Sequence, residues 1–200
     1  MQHSTPLFAA DELWRQVFWS SFIAWWLMEM WILSRDRRAA TGKAKDGGSR
    51  FALMVFIPLG MAGAFFAANR IPVGRITVAP DAVFWVGIAL IWCGMAFRGW
   101  AVATLGRFFR TSVFMLEDHR LITSGPYRWL RNPSYTGSVV TGLGIGLAMG
   151  NWLSLLLAPA GILIGFAVRI AVEDVAMRER FGQEYADYAK RSWALIPLIW

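Results

Sequence analysis

The sequence predicts an all-α, polytopic integral membrane protein with about five transmembrane helices. Hydrophobic residues occupy 56% of its 200 positions and charged residues only 16%, and the mean hydropathy is +0.44. A chain this apolar, with 12 Trp and 14 Phe, does not stay solvated as a disordered polypeptide, and ordinary soluble domains carry more charge. The single cysteine, Cys93, excludes a disulfide-stapled secreted module.

Five apolar stretches define the predicted spans. They cover residues 17–33, 51–68, 82–105, 135–149 and 152–168. Crossing a hydrocarbon core of about 30 Å takes about 20 helical residues. The first three stretches are therefore long enough on their own, whereas the last two look short. Gly150 and Asn151, between the last two, predict the tight turn of a helical hairpin.

Basic residues are distributed unevenly between the predicted spans. The loop 34–50 carries six Lys or Arg, and the segments 106–134 and 169–200 carry five each. The opposite side carries three, which are Arg15, Arg70 and Arg75. The positive-inside rule therefore places the N-terminus outside and the C-terminus in the cytoplasm. The net charge of +7 is accordingly interpreted as membrane topology and not as nucleic-acid binding.

The start of the chain lacks the basic region of a secretory signal. Asp11 and Glu12 precede Arg15 ahead of the first apolar stretch. We therefore interpret this stretch as a retained transmembrane helix and not as a cleaved signal peptide.

Glycines inside the fourth predicted span favour close helix packing. Gly142, Gly146 and Gly150 recur at every fourth position and predict a ridge across which a neighbouring backbone comes close. They do not favour a dinucleotide-binding fingerprint, because that motif lies between a strand and a helix.

Glu29 and Arg98 lie nearer the cytoplasmic ends of their spans, where a charge costs less than at the bilayer centre. We expect them to pair, to snorkel, or to line a cavity.

A polar segment, residues 119–137, leads directly into the fourth predicted span. Asn132 and Pro133 predict a helix N-cap followed by proline at the first helical position. Free N–H groups at such a helix start suit a carboxylate or phosphate. Tyr127 and Tyr135 would flank a flat or cationic group there.

The chain becomes amphipathic after the fifth predicted span. Apolar residues recur at near-helical spacing among charged ones in 169–189, which predicts a helix lying against the cytoplasmic face. Arg169 and Glu173 are four residues apart and share one side of this helix. They either form a helix-stabilising ion pair or converge on a ligand headgroup at the membrane boundary.

Five short segments follow one another in the second half of the chain. They are His119-x-Leu-Ile-Thr-Ser-Gly-Pro-Tyr-Arg, Leu-Arg-Asn-Pro-Ser-Tyr-Thr-Gly, Arg169-x-x-x-Glu-Asp, Arg-Phe-Gly-Gln-Glu-Tyr-Ala-Asp-Tyr and Ile196-Pro197. In this order and spacing they resemble the isoprenylcysteine carboxyl methyltransferase family. That family belongs to a broader group of integral-membrane, S-adenosylmethionine-dependent methyltransferases that includes the phospholipid N-methyltransferases. The resemblance covers about half of the chain.

The resemblance implies a methyltransferase with a cytoplasmic pocket for S-adenosylmethionine. The residues it implies at the border of the cofactor are His119, Arg120, Leu121 and Ile122. Those implied to complete the pocket are Tyr127, Asn132, Pro133, Ser134, Tyr135 and Glu173. Arg169 matches the arginine that faces the acceptor's carboxylate in the enzymes that act on prenylated cysteine. Arg169 and Glu173 are therefore the implied catalytic residues.

Two positions depart from the family pattern. The family usually has histidine where this chain has Asn132, and it prefers a second glutamate where this chain has Asp174. Asparagine still donates a hydrogen bond and caps a helix, but it cannot become cationic. The departure at Asn132 concerns the positioning of the cofactor more than its identity.

The implied organisation has three transmembrane helices in residues 1–105 and a catalytic half in residues 106–200. The expected partners are the lipid bilayer and a lipophilic small-molecule or lipidated acceptor, with no nucleic acid. Carboxyl methylation of an isoprenylcysteine-like group is favoured, while N- or S-methylation of a phospholipid amine or a small thiol stays open. The residues do not indicate an oligomeric state.

Two other classes of function remain as alternatives. Membrane sterol reductases, which use NADPH, share the fold and the Pro-Tyr segment, but often have glutamate at the position that Ser138 occupies here. A non-enzymatic scaffold would leave the polar segment and the Arg169–Glu173 pair without a purpose. A catalytic metal or a Ser-His-Asp triad is not expected, because His3 and His119 are the only histidines.

Overall fold

A computed structural model of the chain describes residues 5–37, 48–109 and 120–200. Within them the chain forms five α-helices, which are α1 (Glu12–Arg37), α2 (Ser49–Arg70), α3 (Pro80–Leu105), α4 (Pro133–Ala148) and α5 (Trp152–Lys190). Short 3₁₀ helices occur at Leu7–Ala9, Pro72–Gly74, Gly106–Phe108 and Gly125–Arg128. The predicted all-α class is confirmed.

In the part of the chain that the structure describes, four segments are long and apolar enough to cross a membrane, namely Glu12–Ser34, Ser49–Arg70, Pro80–Phe108 and Trp152–Lys190. Helix α4, the fourth of the five predicted spans, has 16 residues. At the α-helical rise it is about 24 Å long, which is less than the hydrocarbon thickness of about 30 Å. The fifth predicted span is not short, because α5 continues into the amphipathic segment. A kink at Gly182, whose φ is +52°, divides α5 before it ends at Lys190.

Helix α4 packs closely against the backbone of α3 at glycines of both helices. A Cβ atom on Gly94 would lie 2.6 Å from the carbonyl oxygen of Gly137, and one on Gly87 would lie 2.8 Å from that of Gly144. These contacts also show that α3 and α4 run antiparallel. This second line of small residues, on the opposite side of α4 from the predicted ridge, was not predicted.

The predicted glycine ridge faces α5. A Cβ on Gly146 would lie 2.7 Å from Cα of Leu155, and one on Gly142 would contact Pro159 and Ile162. Gly150 does not extend this ridge, because it lies in the turn after α4 with φ +69° and faces Leu7. The prediction is confirmed for the first two glycines and wrong for the third.

The turn between α4 and α5 is fixed by a buried asparagine. The Asn151 side chain caps α5 by accepting hydrogen bonds from the backbone N–H groups of Leu153 and Ser154. Its amide nitrogen donates to the carbonyl oxygens of Ala67 and Ile71 at the end of α2, at 3.3 and 2.9 Å. The predicted helical hairpin is confirmed, and its turn is tied to α2.

Helices α1 and α3 run parallel to each other. From their first residues onward, the Trp14 ring stacks on Phe84 at a centroid distance of 4.6 Å, and Trp92 donates to Ser21 at 3.1 Å. Near their ends, Glu29 pairs with Arg98. The ends of α1 and α3 therefore lie on one side of the bundle together with the start of α4.

Helices α2 and α5 run antiparallel. The Ser154 hydroxyl donates to the carbonyl oxygen of Ala64 at 2.6 Å, whereas Leu53, one turn into α2, contacts Gly165. The start of α2 and the middle of α5 consequently lie on the same side of the bundle as the ends of α1 and α3. We call this side the site face.

The buried core has two parts. The larger part fills the space between α1, α3 and α4 around Phe18, Phe84, Ile91 and Ile145, all of which are inaccessible to solvent. A smaller cluster near the site face joins α4 and α5 to the C-terminal residues, and it consists of Val139, Ile162, Phe166, Ile170 and Leu195. This second cluster supports the candidate site from below.

Candidate active site

A buried arginine, a glutamate and a tyrosine form a connected group where α4 and α5 meet at the site face. Arg169 is 1% exposed and donates from Nε to Oε1 of Glu173 at 2.6 Å. Its Nη1 donates to the Ser49 hydroxyl on α2 at 3.0 Å. The Tyr135 hydroxyl donates to both carboxylate oxygens of Glu173, at 2.8 and 3.0 Å. Glu173 therefore orients one cation and one phenol simultaneously.

The ring of Tyr135 is held from the other side by an aromatic neighbour. It stacks on Phe166 with ring centroids 4.0 Å apart and an interplanar angle of 17°. Because the hydroxyl and the ring are both fixed, Tyr135 has little freedom to rotate. Phe166 and Ser49 were not predicted to support this site, since neither belongs to the motifs.

A second ion pair ties three helices together near this group. Arg98 of α3 is 5% exposed, and its Nη2 donates to Glu29 of α1 at 2.7 Å. Its Nη1 donates to the hydroxyl and the carbonyl oxygen of Ser134, at 2.7 and 3.1 Å. The close approach of α3 at Gly137 allows this contact, because a Cβ there would lie 2.8 Å from Cβ of Arg98. The expected pairing of Glu29 with Arg98 is confirmed.

The C-terminal residues hold the segment that leads into α4. The backbone N–H groups of Arg131 and Asn132 donate to the carbonyl oxygens of Trp193 and Ala194, at 2.8 and 3.1 Å. The Arg131 side chain donates to the carbonyl oxygens of Ala189 and Ser192. The start of α4 is thus fixed by residues about 60 positions later in the chain.

Asn132 precedes α4 and Pro133 is its first residue, as predicted. The Asn132 side chain makes no capping hydrogen bond. Its amide nitrogen instead donates to the carbonyl oxygen of Ala194 at 2.9 Å. The predicted side-chain cap is therefore wrong, because the hydrogen bond to Ala194 orients the Asn132 amide so that its oxygen does not accept from the first N–H groups of α4.

Tyr127 lies within the 3₁₀ helix Gly125–Arg128 and is buried, with 6% of its surface exposed. The Tyr188 hydroxyl of α5 donates to its carbonyl oxygen at 2.7 Å and fixes the backbone. Burial, together with the neighbouring Tyr188 and Glu173, raises the pKa of the Tyr127 phenol well above its ordinary value. Tyr127 is therefore a neutral group at the edge of the site.

A cavity of about 540 Å³ opens between α1, α2 and α5 and reaches the site. Its apolar lining consists mainly of aromatic and aliphatic side chains from these three helices. Its charged lining residues are Glu29, Arg50, Arg98 and Arg169, joined by Tyr135 and Ser138 of α4. All of these lie at the site face, whereas the deeper part of the cavity is apolar.

The other predicted site residues are distributed as follows. Arg120 is exposed, while Leu121 and Ile122 are half-buried ahead of the 3₁₀ helix. Pro133 and Ser134 are buried, and the Ser134 hydroxyl faces Arg98. His119 lies outside the described residues. The cofactor roles of all these residues stay predictions.

Known families and proteins resemble this chain. The family model described as phospholipid methyltransferase matches residues 82–184. A probable protein-S-isoprenylcysteine O-methyltransferase of Oryza sativa subsp. indica is 34% identical over 120 residues, which cover 58% of this chain and 62% of the rice protein. Protein-S-isoprenylcysteine O-methyltransferase of Schizosaccharomyces pombe is 37% identical over 83 residues, covering 42% and 35% of the two chains. The chain thus spans less than two thirds of the length of these relatives.

A solved structure shares the fold. It is the eukaryotic intramembrane Ras methyltransferase, isoprenylcysteine carboxyl methyltransferase, with a TM-score of 0.59 and 23% sequence identity. The match covers 84% of this chain and 60% of the other. Together with the four long apolar helices, it identifies this chain as a polytopic membrane protein.

Proposed function

Because the chain belongs to the phospholipid methyltransferase family, we propose that it is an integral membrane, S-adenosylmethionine-dependent methyltransferase. Its acceptor is the carboxylate of a lipophilic, isoprenylcysteine-like group. The observation that carries this proposal is the buried Arg169, which lines an otherwise largely apolar cavity at the site face. The relatives named above as O-methyltransferases support it further.

The charges around the cavity suit an anionic headgroup. Among the described residues, its lining contains three guanidinium groups and one carboxylate. Glu29 pairs with Arg98, and Glu173 pairs with Arg169. These two carboxylates do not balance the three guanidinium groups, so the surroundings of the cavity keep a net positive charge. Arg169 is planar and presents several N–H donors, so it can receive a carboxylate through two parallel hydrogen bonds. The apolar remainder of the acceptor then lies among the hydrocarbon side chains.

The residues that contact or adjoin Arg169 outside the apolar part of the cavity fit the proposed methyl donor. Glu173 supplies a carboxylate whose side chain is 23% exposed, and Tyr135, which lines the cavity, supplies aromatic surface. A carboxylate beside aromatic rings suits a molecule that carries an ammonium, a sulfonium and a flat base. When bound, S-adenosylmethionine supplies a methyl group on a positively charged sulfur that leaves as a neutral thioether.

The main tasks of the chain's own residues are then to orient the donor and the acceptor and to exclude water from the site. A carboxylate acceptor is already ionised, so no general base is required. Arg169 aligns the acceptor oxygen, while Tyr135 and Glu173 border the donor. Correct alignment of two reactants contributes on the order of 7–11 kcal/mol. The apolar cavity keeps water from the reacting oxygen.

A base-lability assay tests this function. The purified chain in lipid nanodiscs should transfer labelled methyl from S-adenosylmethionine to N-acetyl-S-farnesylcysteine. Alkali should release the label as volatile methanol, because esters hydrolyse whereas N-methyl and S-methyl bonds do not. The carboxamide of the same probe is the matched control and should accept no label. Alkali-stable label would contradict carboxyl methylation, and oxidation of NADPH without methyl transfer would contradict the methyltransferase class.

We further propose that residues 1–105 determine acceptor selectivity and that residues 106–200 supply the cofactor pocket, on the cytoplasmic side of the membrane. The uneven distribution of Lys and Arg supports this orientation. Most of the basic loop 34–50 lies outside the described residues.

Cysteine labelling tests the orientation in intact cells after replacement of Cys93 by alanine. Thr41→Cys and Glu184→Cys should resist a membrane-impermeant maleimide until the cells are permeabilised. Val73→Cys, which is 93% exposed between α2 and α3, is the matched control and should react from outside. Labelling of position 41 or 184 in intact cells would show that the orientation is reversed or mixed.

A further inference from the structure

The cavity ends at a cluster of packed aromatic rings away from the site face, which we call the aromatic floor. Its innermost lining residues are Phe22 of α1, Met61 of α2 and Ile162 of α5. Phe22 contacts Phe65 of α2 edge to face, with ring centroids 5.6 Å apart. Phe65 also contacts Phe18 at 6.2 Å. These rings join α1 to α2 just beyond the cavity and close it from below.

The depth of the cavity follows from its lining residues. On α2 these extend from Arg50 to Met61, and on α1 from Leu33 to Phe22. Each interval is 11 residues, which corresponds to about 16 Å along a helix axis. An extended chain of single bonds advances about 1.2 Å per bond, as the backbone geometry of peptides shows. The cavity therefore accommodates a linear chain of about 13 bonds.

We propose that Met61, supported by the aromatic floor, limits the length of the acceptor's hydrocarbon chain and so determines which lipid is accepted. This inference rests on the proposed function, because the polar end of the acceptor is placed at Arg169. Met61 is 7% exposed and directly precedes the closed end of the cavity. With the carboxylate at Arg169, which contacts Ser49 at the start of α2, an S-farnesylcysteine extends about 15 bonds from its carboxyl carbon and comes within about two bonds of the depth. An S-geranylgeranylcysteine extends about 19 bonds and exceeds the depth by about six.

The side of the cavity offers a competing path. Trp26 and Met54 line it and are 52% and 68% exposed, so the cavity opens towards lipid between α1 and α2. If the hydrocarbon chain left through this opening, its length would not depend on Met61. Chain-length selectivity thus distinguishes a chain that ends at the floor from one that extends into the bilayer.

The test uses N-acetylcysteine probes bearing geranyl, farnesyl or geranylgeranyl chains, with kcat/KM measured for each. The unmodified chain should prefer farnesyl to geranylgeranyl by about tenfold, because surplus methylenes in a closed pocket are rejected by this order. Met61→Trp should lower the farnesyl-to-geranyl ratio by about tenfold. Met61→Ala should raise the geranylgeranyl-to-farnesyl ratio, even if Met61→Trp fails to fold.

Matched controls are Leu59→Trp and Leu59→Ala, because Leu59 lies on the same helix, is 63% exposed and does not line the cavity. General damage to the fold lowers all three rates together and leaves the ratios unchanged. Ratios that do not change with either Met61 variant would overturn the length limit while leaving carboxyl methylation intact. Failure to methylate any probe would instead overturn the proposed function, and with it this inference.

Discussion

Replacing Arg169 by alanine should lower kcat/KM for a carboxylate acceptor by about 100- to 1000-fold, the loss typical of a preorganised donor to developing or fixed negative charge. Arg169 is 1% exposed, so water cannot replace its hydrogen bonds to the acceptor. The affinity for S-adenosylhomocysteine should change much less. Tyr135 donates to both oxygens of Glu173 and should still hold this carboxylate in the variant.

Arg169→Lys separates charge from geometry. Lysine keeps the positive charge but lacks the planar fork, so it should restore only part of the activity. Arg178→Ala is the matched control, because Arg178 lies further along α5 and is exposed. In each variant, the rate of methyl transfer to the acceptor and the calorimetric affinities for the acceptor and for S-adenosylhomocysteine should be measured.

The outcomes for Arg169 distinguish three roles. Loss of rate with intact cofactor binding supports recognition of a carboxylate. An unchanged rate in Arg169→Ala with unchanged cofactor binding would mean that the acceptor is uncharged, such as a thiol or an amine. A large fall in cofactor affinity would mean that Arg169 acts by holding Glu173, to which it donates at 2.6 Å.

Local patterns in the sequence predicted the parts of the fold that depend on neighbouring residues. Pro133 begins α4, Gly150 and Asn151 form the turn between α4 and α5, and Arg169 and Glu173 pair across one turn. Each of these depends on residues within four positions of one another, where backbone geometry and spacing decide the contact. The Glu29–Arg98 pair was also expected, because two charges in apolar spans have few other ways to lower their desolvation cost.

Contacts between distant parts of the chain could not be predicted in the same way. The Asn132 side chain donates to the carbonyl oxygen of Ala194 and does not cap its own helix. The residues near position 132 do not predict this contact. Ser49 and Phe166 reach the site only because α2 and α5 pack together.

Replacing Glu173 by glutamine should weaken S-adenosylhomocysteine binding by about 5- to 150-fold, because a lost hydrogen bond in a buried site costs about 1–3 kcal/mol. Glutamine preserves the shape of the side chain but removes its charge and one acceptor. Glu184→Gln, on the exposed surface of α5, is the matched control and should bind normally. Isothermal titration calorimetry in detergent or nanodiscs measures each affinity directly.

Two substitutions of Tyr135 separate the roles of its hydroxyl and its ring. Tyr135→Phe keeps the ring that stacks on Phe166 at 4.0 Å and removes only the donor to Glu173. It should therefore weaken S-adenosylhomocysteine binding less than Tyr135→Ala, which also removes an aromatic wall of the pocket. If Tyr135→Ala and Glu173→Gln both bound S-adenosylhomocysteine normally, the cofactor would lie elsewhere. The ion pair between Arg169 and Glu173 would then have a structural role, because the Glu173 carboxylate would have no cofactor to bind.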